Sequence, residues 1–277
     1  MHRVPPRPPV PRRVNHDAVA RSQAAARWLL GQWLRARRAT VTPADVGLVV
    51  GPRERPGSLT LFQVARLGGI TARSYQAVEA ARRAPGPRVL EGIITALPLT
   101  AGEQAYLRRL AHAATCQTVD PPAAATADGA ASRLVDTCRG AGFATDHRLR
   151  ILAANPALHR FAPDLVADAD LLRWMFTNPR ARRLLPDWQA VAASVACQMR
   201  REQVRHVHDL AWYDTAIASI AVDNPQAERL WRWSLLHAPD TPPEATLRIR
   251  LPNGRITNRT VTQLHCRDQD VTVTVIS

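Results

Sequence analysis

The sequence contains no lysine, and all 37 of its basic side chains are arginine. Complete replacement of lysine by arginine is typical of a GC-rich genome, so arginine abundance alone is weak evidence for nucleic-acid binding. No stretch approaches the ~18 consecutive apolar residues of a membrane-spanning helix. The four cysteines are scattered without a CxxC pair, which fits reduced thiols and disfavours a zinc ribbon or a disulfide scaffold. We therefore expect a cytoplasmic protein with no membrane partner.

Familiar catalytic motifs are also missing. The sequence has no GxSxG, P-loop, GxGxxG or HExxH pattern, so we expect no enzyme activity and no cofactor. One dense cluster of metal-type ligands, Arg205-His-Val-His-Asp209, could contribute to a zinc or iron site. We favour a simpler interpretation, in which His206 and His208 lie at a helix end and complement its dipole. The prediction is therefore no metal site, and a metal-dependent enzyme using His206 and His208 is the third alternative.

Positive charge is concentrated in the N-terminal part of the chain. Residues 1–112 carry 18 arginines and 6 acidic residues, a net charge of +12, whereas residues 113–277 carry 19 arginines and 17 acidic residues, a net charge of +2. Such an asymmetry is the electrostatic footprint of a protein that binds a polyanion. The alternative is a solvated surface with a basic tail.

Composition divides the chain into segments. Residues 115–131 are small, polar and proline-bearing, which predicts an interdomain linker. Residues 1–20 are predicted to be a disordered arm, because Met1–Val14 holds five prolines and four arginines and lacks the apolar segment of a signal peptide. The intervening residues 21–114 form one predicted domain, and residues 132–277 form the other.

The N-terminal domain is predicted to be all-α with a helix-turn-helix. Helices are expected at 61–67 and 71–80, joined by Gly68-Gly69, with Thr71 as N-cap of the second helix. Tyr75 and Val78 are predicted to face inward, which leaves an outer face that a recognition helix presents to base edges in the major groove. That candidate DNA-binding face comprises Thr71, Ala72, Arg73, Ser74, Gln76 and Ala77. An ordinary helical hairpin remains the structural alternative.

Four further arginines have predicted roles in this domain. Arg53 and Arg55 lie on a Gly/Pro-rich loop, where they either clamp DNA phosphates or are simply solvated. Arg37 and Arg38 are candidates to pair with Glu79 across the helical core, and we expect at least one of them to do so.

The C-terminal domain shows a mixed pattern. Two short strands are predicted at 143–145 and 150–153, followed by helices. The last 32 residues then change to period-two alternation with an Asn253-Gly254 hairpin turn. The expected fold is α+β, with an antiparallel sheet built from the early pair of strands and a C-terminal meander of three.

Both halves, in order, resemble the XRE-type helix-turn-helix regulators that are fused to an MmyB-like ligand-binding domain. The resemblance covers roughly residues 29–277. The N-terminal stretches that carry it are Leu34-Arg-Ala-Arg-Arg, Gly51–Gly57, Val64–Thr71 and Leu107–Ala111. The C-terminal stretches are Ile151–Pro156, Leu171–Arg183, Pro186–Val191 and Arg229-Leu-Trp231.

The resemblance implies a sequence-specific transcription regulator that binds double-stranded operator DNA as a homodimer. It also implies a PAS-like C-terminal domain for sensing or dimerisation, with an apolar pocket for a fatty-acid-like small molecule. Phe143, Leu152, Met175, Phe176 and Trp188 are the predicted pocket residues, because they lie where strands and following helices should converge.

The sequence also departs from the family pattern. Leu61, Phe62 and Gln63 replace polar or acidic residues at the start of the first motif helix, and Ala81 replaces a helix-closing glycine. A His-Asp pair is replaced around Ser234-Leu235, which puts any inherited ligand contact there in doubt. These departures keep open an alternative function, a protein-interaction module whose helix-turn-helix no longer binds DNA.

Overall fold

The computed structural model describes residues 16–49, 57–116, 129–238, 244–266 and 270–277. Arg53, Arg55, most of the predicted arm and most of the predicted linker lie outside the described residues. The predicted fold class is confirmed: an all-α N-terminal region precedes an α+β region with an antiparallel sheet. No helix in the described ranges is long and apolar enough to span a bilayer.

The described residues of the N-terminal region form five α-helices and one short 3-10 turn. They are α1 (His16–Thr40), the turn Ala44–Val46, α2 (Leu61–Leu67), α3 (Ala72–Glu79), α4 (Pro87–Ala96) and α5 (Ala101–Ala113). α1 includes residues 16–20, which the sequence analysis assigned to the disordered arm, so the helix starts before the predicted beginning of the domain at residue 21.

Local capping explains why the motif helices begin where they do. The Thr71 hydroxyl accepts a hydrogen bond from the Ser74 backbone N–H and caps α3, as predicted. Thr100 and Glu103 form a capping box at the start of α5. Thr60 and Gln63 form a second capping box at the start of α2, which the sequence reading did not identify.

The turn between α2 and α3 depends on two glycines that act differently. Gly69 has the left-handed backbone conformation, with a φ of 60°. Gly68 does not, but a Cβ at this position would lie 2.3 Å from the carbonyl oxygen of Gly92. Gly68 therefore allows α2 and α4 to approach closely, and Gly69 turns the chain toward α3.

The C-terminal end of α3 has the backbone conformation of a helix that is closed by a glycine. Ala81 has a φ of 59°, and the Arg82 backbone N–H donates to the Ala77 carbonyl at 2.9 Å. This is the Schellman pattern, which usually uses glycine because a Cβ disfavours the left-handed conformation. The replacement of glycine by Ala81 thus leaves the helix stop in place.

A buried ion pair attaches α3 to α1. Arg38 donates two hydrogen bonds to the Glu79 carboxylate, at 2.9 and 2.7 Å, and a third to the Leu59 carbonyl at 2.7 Å. The hydrogen bond to Glu79 raises the pKa of the Arg38 guanidinium. Arg37 instead contacts the Glu103 carboxylate at 3.1 Å. The predicted pairing with Glu79 is therefore confirmed for Arg38, whereas Arg37 holds α5.

In the described part of the C-terminal region there are seven α-helices, one 3-10 turn and five strands. The helices are α6 (Gly129–Thr137), α7 (Pro156–His159), α8 (Leu171–Thr177), α9 (Pro179–Leu184), α10 (Trp188–Arg205), α11 (Leu210–Asp223) and α12 (Gln226–His237), with the 3-10 turn Val207–Asp209 between α10 and α11. The strands are β1 (Ala141–Thr145), β2 (Ile151–Ala154), β3 (Glu244–Arg250), β4 (Ile256–Cys266) and β5 (Val271–Ile276). α9 has only six residues, which is too short for its sequence to show apolar periodicity. α6 begins at Gly129, so residues 129–131 are helical and not part of the linker.

The strands form one antiparallel sheet in the order β2-β1-β5-β4-β3. β1 pairs with β5, with Phe143 opposite Thr274, so the early pair of strands joins the C-terminal meander as predicted. α6 covers one face of the sheet, where Val135 packs with Ala144 and Val273. The other face carries Phe143 and packs against the main core of helices α7 to α12.

The two regions share packed surface. Val204, near the end of α10, is buried in the N-terminal core, in the same apolar cluster as Leu34 and Leu107. Val207 packs with Ala26 of α1 in a smaller cluster. Arg200 is 5% exposed and donates to the Trp231 carbonyl at 2.8 Å. Burial lowers the pKa of Arg200 to about 10. α10 is therefore a structural element of both regions.

The Arg38–Glu79 pair predicts a large stability difference between two arginine variants. Arg38→Met leaves the Glu79 carboxylate buried without its bidentate partner, which should lower the free energy of unfolding by about 3 kcal/mol. Arg108→Met is the matched control, because Arg108 pairs with Glu91 at 3.3 Å on the surface and such pairs contribute at most about 1 kcal/mol. Urea unfolding of the two single variants and of the double variant Arg38→Met/Glu79→Met measures these losses in the free energy of unfolding. Equal losses for the two single variants, or no recovery in the double variant, would contradict the assignment.

Candidate functional site

The outer face of α3 presents two side chains suited to base recognition. Arg73 and Gln76 are exposed, while Tyr75 and Val78 on the opposite face are 0% and 1% exposed, as predicted. An arginine donates bidentately to guanine and a glutamine pairs with adenine. Thr71 is partly committed to capping, since its hydroxyl accepts from the Ser74 N–H and donates to the Ser74 hydroxyl at 2.8 Å.

A concavity of about 400 Å³ lies on this face. Two of the arginines that line it were not among the DNA-binding residues predicted from the sequence. It is lined by Arg73, Ser74, Gln76, Ala77, Arg82 and Arg83. Arg82 and Arg83 are exposed, directly after the turn at Ala81. None of the three arginines forms an ion pair within the described ranges. The consecutive arginines were visible in the sequence, but only the Schellman turn shows that they lie beside Arg73.

The six predicted DNA-binding residues of this helix thus lie together, at the exposed side of α3 or at its N-terminus. They are Thr71, Ala72, Arg73, Ser74, Gln76 and Ala77. Charge is the dominant property of this surface, because three guanidinium groups with no ion-pair partner among the described residues lie on α3 and directly after it. A surface of this kind attracts phosphate groups and offers hydrogen-bond donors to a groove.

A mainly apolar cavity of about 370 Å³ lies between the sheet and helices α7 to α10. Strands supply Phe143, Leu247, Ile249 and Val261 to its wall, helices supply Leu171, Trp174, Met175 and Val191, and the turn after α7 supplies Phe161. Its volume is within the range of small-molecule sites, and a few polar groups among apolar walls are typical of them.

Two of the five predicted pocket residues, Phe143 and Met175, line this cavity. The other three do not. Leu152 belongs to the opposite face of the sheet, where it packs with the α6 cluster. Phe176 and Trp188 are buried in the main core, where their rings pack edge-to-face with centroids 5.9 Å apart. The Trp188 indole N–H donates to the Met175 carbonyl at 2.7 Å.

Polar side chains of α10 and of the strands also line the cavity, among them Gln198, Arg201 and Gln263. The Gln263 amide donates to the Gln198 side-chain oxygen at 2.9 Å. Arg201 lines the same wall and donates to the Ala238 carbonyl at 3.3 Å. Burial lowers the pKa of the Arg201 guanidinium, and Arg201 has no ion-pair partner among the residues that the structure describes. The cavity thus combines apolar walls with one incompletely neutralised positive charge.

Comparison with known families agrees with this architecture. The model of the MmyB-like transcription regulator ligand binding domain matches residues 128–277, which is more than half of the chain and includes the whole sheet and the cavity. The match begins after α5, so α1 to α5 lie outside it. Comparison with curated proteins finds no match. By the extent of the family match, the chain belongs to the MmyB-like transcription regulator ligand binding domain family.

Proposed function

We propose that this protein is a sequence-specific, DNA-binding transcription regulator that responds to an apolar ligand with an anionic end. The observation that carries the DNA part is the exposed face of α3, where Arg73 and Gln76 lie beside Arg82 and Arg83, two arginines with no ion-pair partner in the described parts of the chain. The family membership of the C-terminal region supports a role in transcription regulation.

The proposed docking mode follows from the position of α3. Its N-terminal residues are accessible, and its inner face is held by Tyr75, Val78 and the Glu79 ion pair. With α3 in the major groove, Arg73 and Gln76 would contact base edges, and Arg82 and Arg83 would contact the backbone. A homodimer would place two such helices on half-sites about 34 Å apart, one helical turn of DNA.

The proposed ligand class follows from the cavity wall. Apolar side chains favour a hydrocarbon chain, and Arg201 favours a carboxylate, because a buried guanidinium gains most from an anionic partner. A long-chain fatty acid meets both requirements. α10 carries Val191 and Arg201 in the cavity and Val204 in the N-terminal core, so it is the element through which occupancy would affect α3.

One observation favours the alternative of an interaction module. Phe62, at the start of α2, is 75% exposed, and a large exposed aromatic side chain is a common anchor at protein interfaces. A polar residue would suit a phosphate contact better at this place. The salt dependence of DNA binding separates the two functions.

We expect the full chain to bind duplex DNA with an affinity that falls steeply with salt. Each phosphate contact contributes about 0.9 to the slope of log affinity against log salt, so Arg82→Ala and Arg83→Ala should each reduce the slope by about 1. Arg108→Ala is the control, because its guanidinium pairs with Glu91 on another helix, and it should leave the slope unchanged. Fluorescence anisotropy over a salt series measures this. Undetectable binding at low salt would favour the interaction module.

Calorimetric titration tests the cavity. A long-chain fatty acid should bind about 10- to 100-fold more tightly than the alcohol of equal length, because only the acid pairs with Arg201. Arg201→Met should remove that preference, and Val191→Trp should block both ligands by filling the cavity. Val222→Trp is the matched control on an exposed position. Equal binding of acid and alcohol, or binding that survives Val191→Trp, would contradict the assignment.

A further inference from the structure

Histidine and aspartate side chains from three separate segments converge beside the C-terminal end of α10. His147 comes from the β1–β2 turn, His206 directly follows α10, and Asp270 immediately precedes β5. One ligand atom from each residue lies within 4.8 Å of the others. We propose that His147, His206 and Asp270 bind a divalent transition-metal ion of the Zn²⁺ type.

The two imidazoles are already oriented as metal ligands are. His206 Nδ1 lies 2.9 Å from the Glu202 backbone carbonyl, which leaves its Nε2 directed at Asp270. His147 Nε2 lies 3.1 Å from the Asp209 carboxylate, which leaves its Nδ1 on the side of Asp270. A carbonyl or carboxylate on the remote ring nitrogen is the usual second contact of a metal-bound histidine, because it fixes the tautomer and the ring orientation.

Asp209 is itself held in place. Arg148 donates two hydrogen bonds to its carboxylate, at 2.7 and 2.9 Å. The chain from Arg148 through Asp209 to His147 thus has the order of a carboxylate–histidine–metal triad.

A structural ion pair between His206 and Asp270 does not explain the whole cluster. His147 Nδ1 is buried and has no hydrogen-bond partner within the described ranges, although a buried ring nitrogen normally has one. Its ring is stacked on that of His206, with centroids 4.2 Å apart. A metal ion would use the nitrogen that is otherwise left without a partner.

The two distances from Asp270 to the imidazoles require only small movements. Asp270 Oδ2 is 2.5 Å from His206 Nε2 and 4.0 Å from His147 Nδ1. Tetrahedral coordination with bonds of about 2.0–2.1 Å places neighbouring ligand atoms about 3.3 Å apart. The distance from Asp270 to His206 would therefore lengthen, and the distance from Asp270 to His147 would shorten, each by less than about 1 Å. His265 Nε2 lies 3.8 Å from Asp270 Oδ1 and is the nearest candidate for a fourth ligand, with water as the alternative.

The donor set selects the class of metal. Two imidazoles and one carboxylate suit Zn²⁺ and the related divalent ions of the first transition series, whereas Mg²⁺ and Ca²⁺ prefer oxygen ligands alone. The sequence analysis considered His206 with His208. The structure brings His206 to His147 and Asp270 instead, and the His208 ring packs edge-on against His206 with centroids 5.9 Å apart.

The location links the site to the N-terminal region. The 3-10 turn Val207–Asp209 directly follows His206, and Val207 packs against Ala26 of α1. A bound ion would tie the β1–β2 turn, the end of α10 and the start of β5 together at this junction.

Metal titration of the full chain tests the proposal. Chelator-treated protein is titrated with Zn²⁺, and with Co²⁺ to detect the visible absorption of tetrahedral cobalt, and bound metal is counted by elemental analysis. We expect one ion per chain and a Zn²⁺-dependent rise in the thermal midpoint. His147→Gln and Asp270→Asn should each abolish the cobalt absorption. Asn tolerates the left-handed conformation that Asp270 adopts, with a φ of 52°, so the second variant should keep its backbone.

Two further variants make the result specific. Asp209→Asn leaves all three ligand atoms in place and should weaken binding about 10- to 100-fold if Asp209 positions His147. His112→Gln, at an exposed position of α5, is the matched control and should bind as the wild type does. Less than one-tenth of an equivalent in the wild type, or wild-type affinity in folded His147→Gln or Asp270→Asn, would overturn the proposal.

Discussion

The orientation of α3 depends on one buried ion pair, between Arg38 on α1 and Glu79 at the end of α3. Glu79 is 6% exposed, so its carboxylate has little access to water and needs the bidentate guanidinium. Because Arg38 also donates to the Leu59 carbonyl before α2, one side chain connects three parts of the helix-turn-helix. The pair fixes the rotation of α3 about its axis. Because of that rotation, Arg73 and Gln76 face solvent. The proposed DNA-binding surface is therefore a consequence of core electrostatics as much as of its own residues.

α10 performs the corresponding task between the two regions. Its middle forms one wall of the apolar cavity, Val204 enters the N-terminal core, and His206 follows its last turn. A packed helix moves largely as a rigid body, because interiors as dense as crystals do not deform locally at low cost. A change at the cavity wall or at the histidine cluster would thus reach the N-terminal core without any role for residues 117–128.

Local signals made the helix-turn-helix predictable, and the C-terminal sites depended on long-range geometry. Thr71, the glycine pair and the inward Tyr75 follow from capping, backbone conformation and helical periodicity, all encoded within a few residues. Leu152 was assigned to the cavity wrongly, because the face of the sheet that a β2 residue occupies is set by pairing with β1 and by α6. His206 and Asp270 are 64 residues apart in sequence, so no spacing rule brings them together.

Selection of bound duplexes from a random-sequence DNA library tests the central claim that α3 reads base sequence. The full chain and the Arg73→Ala/Gln76→Ala variant are compared at near-physiological salt, and the retained duplexes are sequenced. The account predicts one enriched motif with two related half-sites for the wild type and loss of that motif in the variant, with residual non-specific binding through Arg82 and Arg83. No enriched motif for the wild type, or the same motif for the variant, would contradict it.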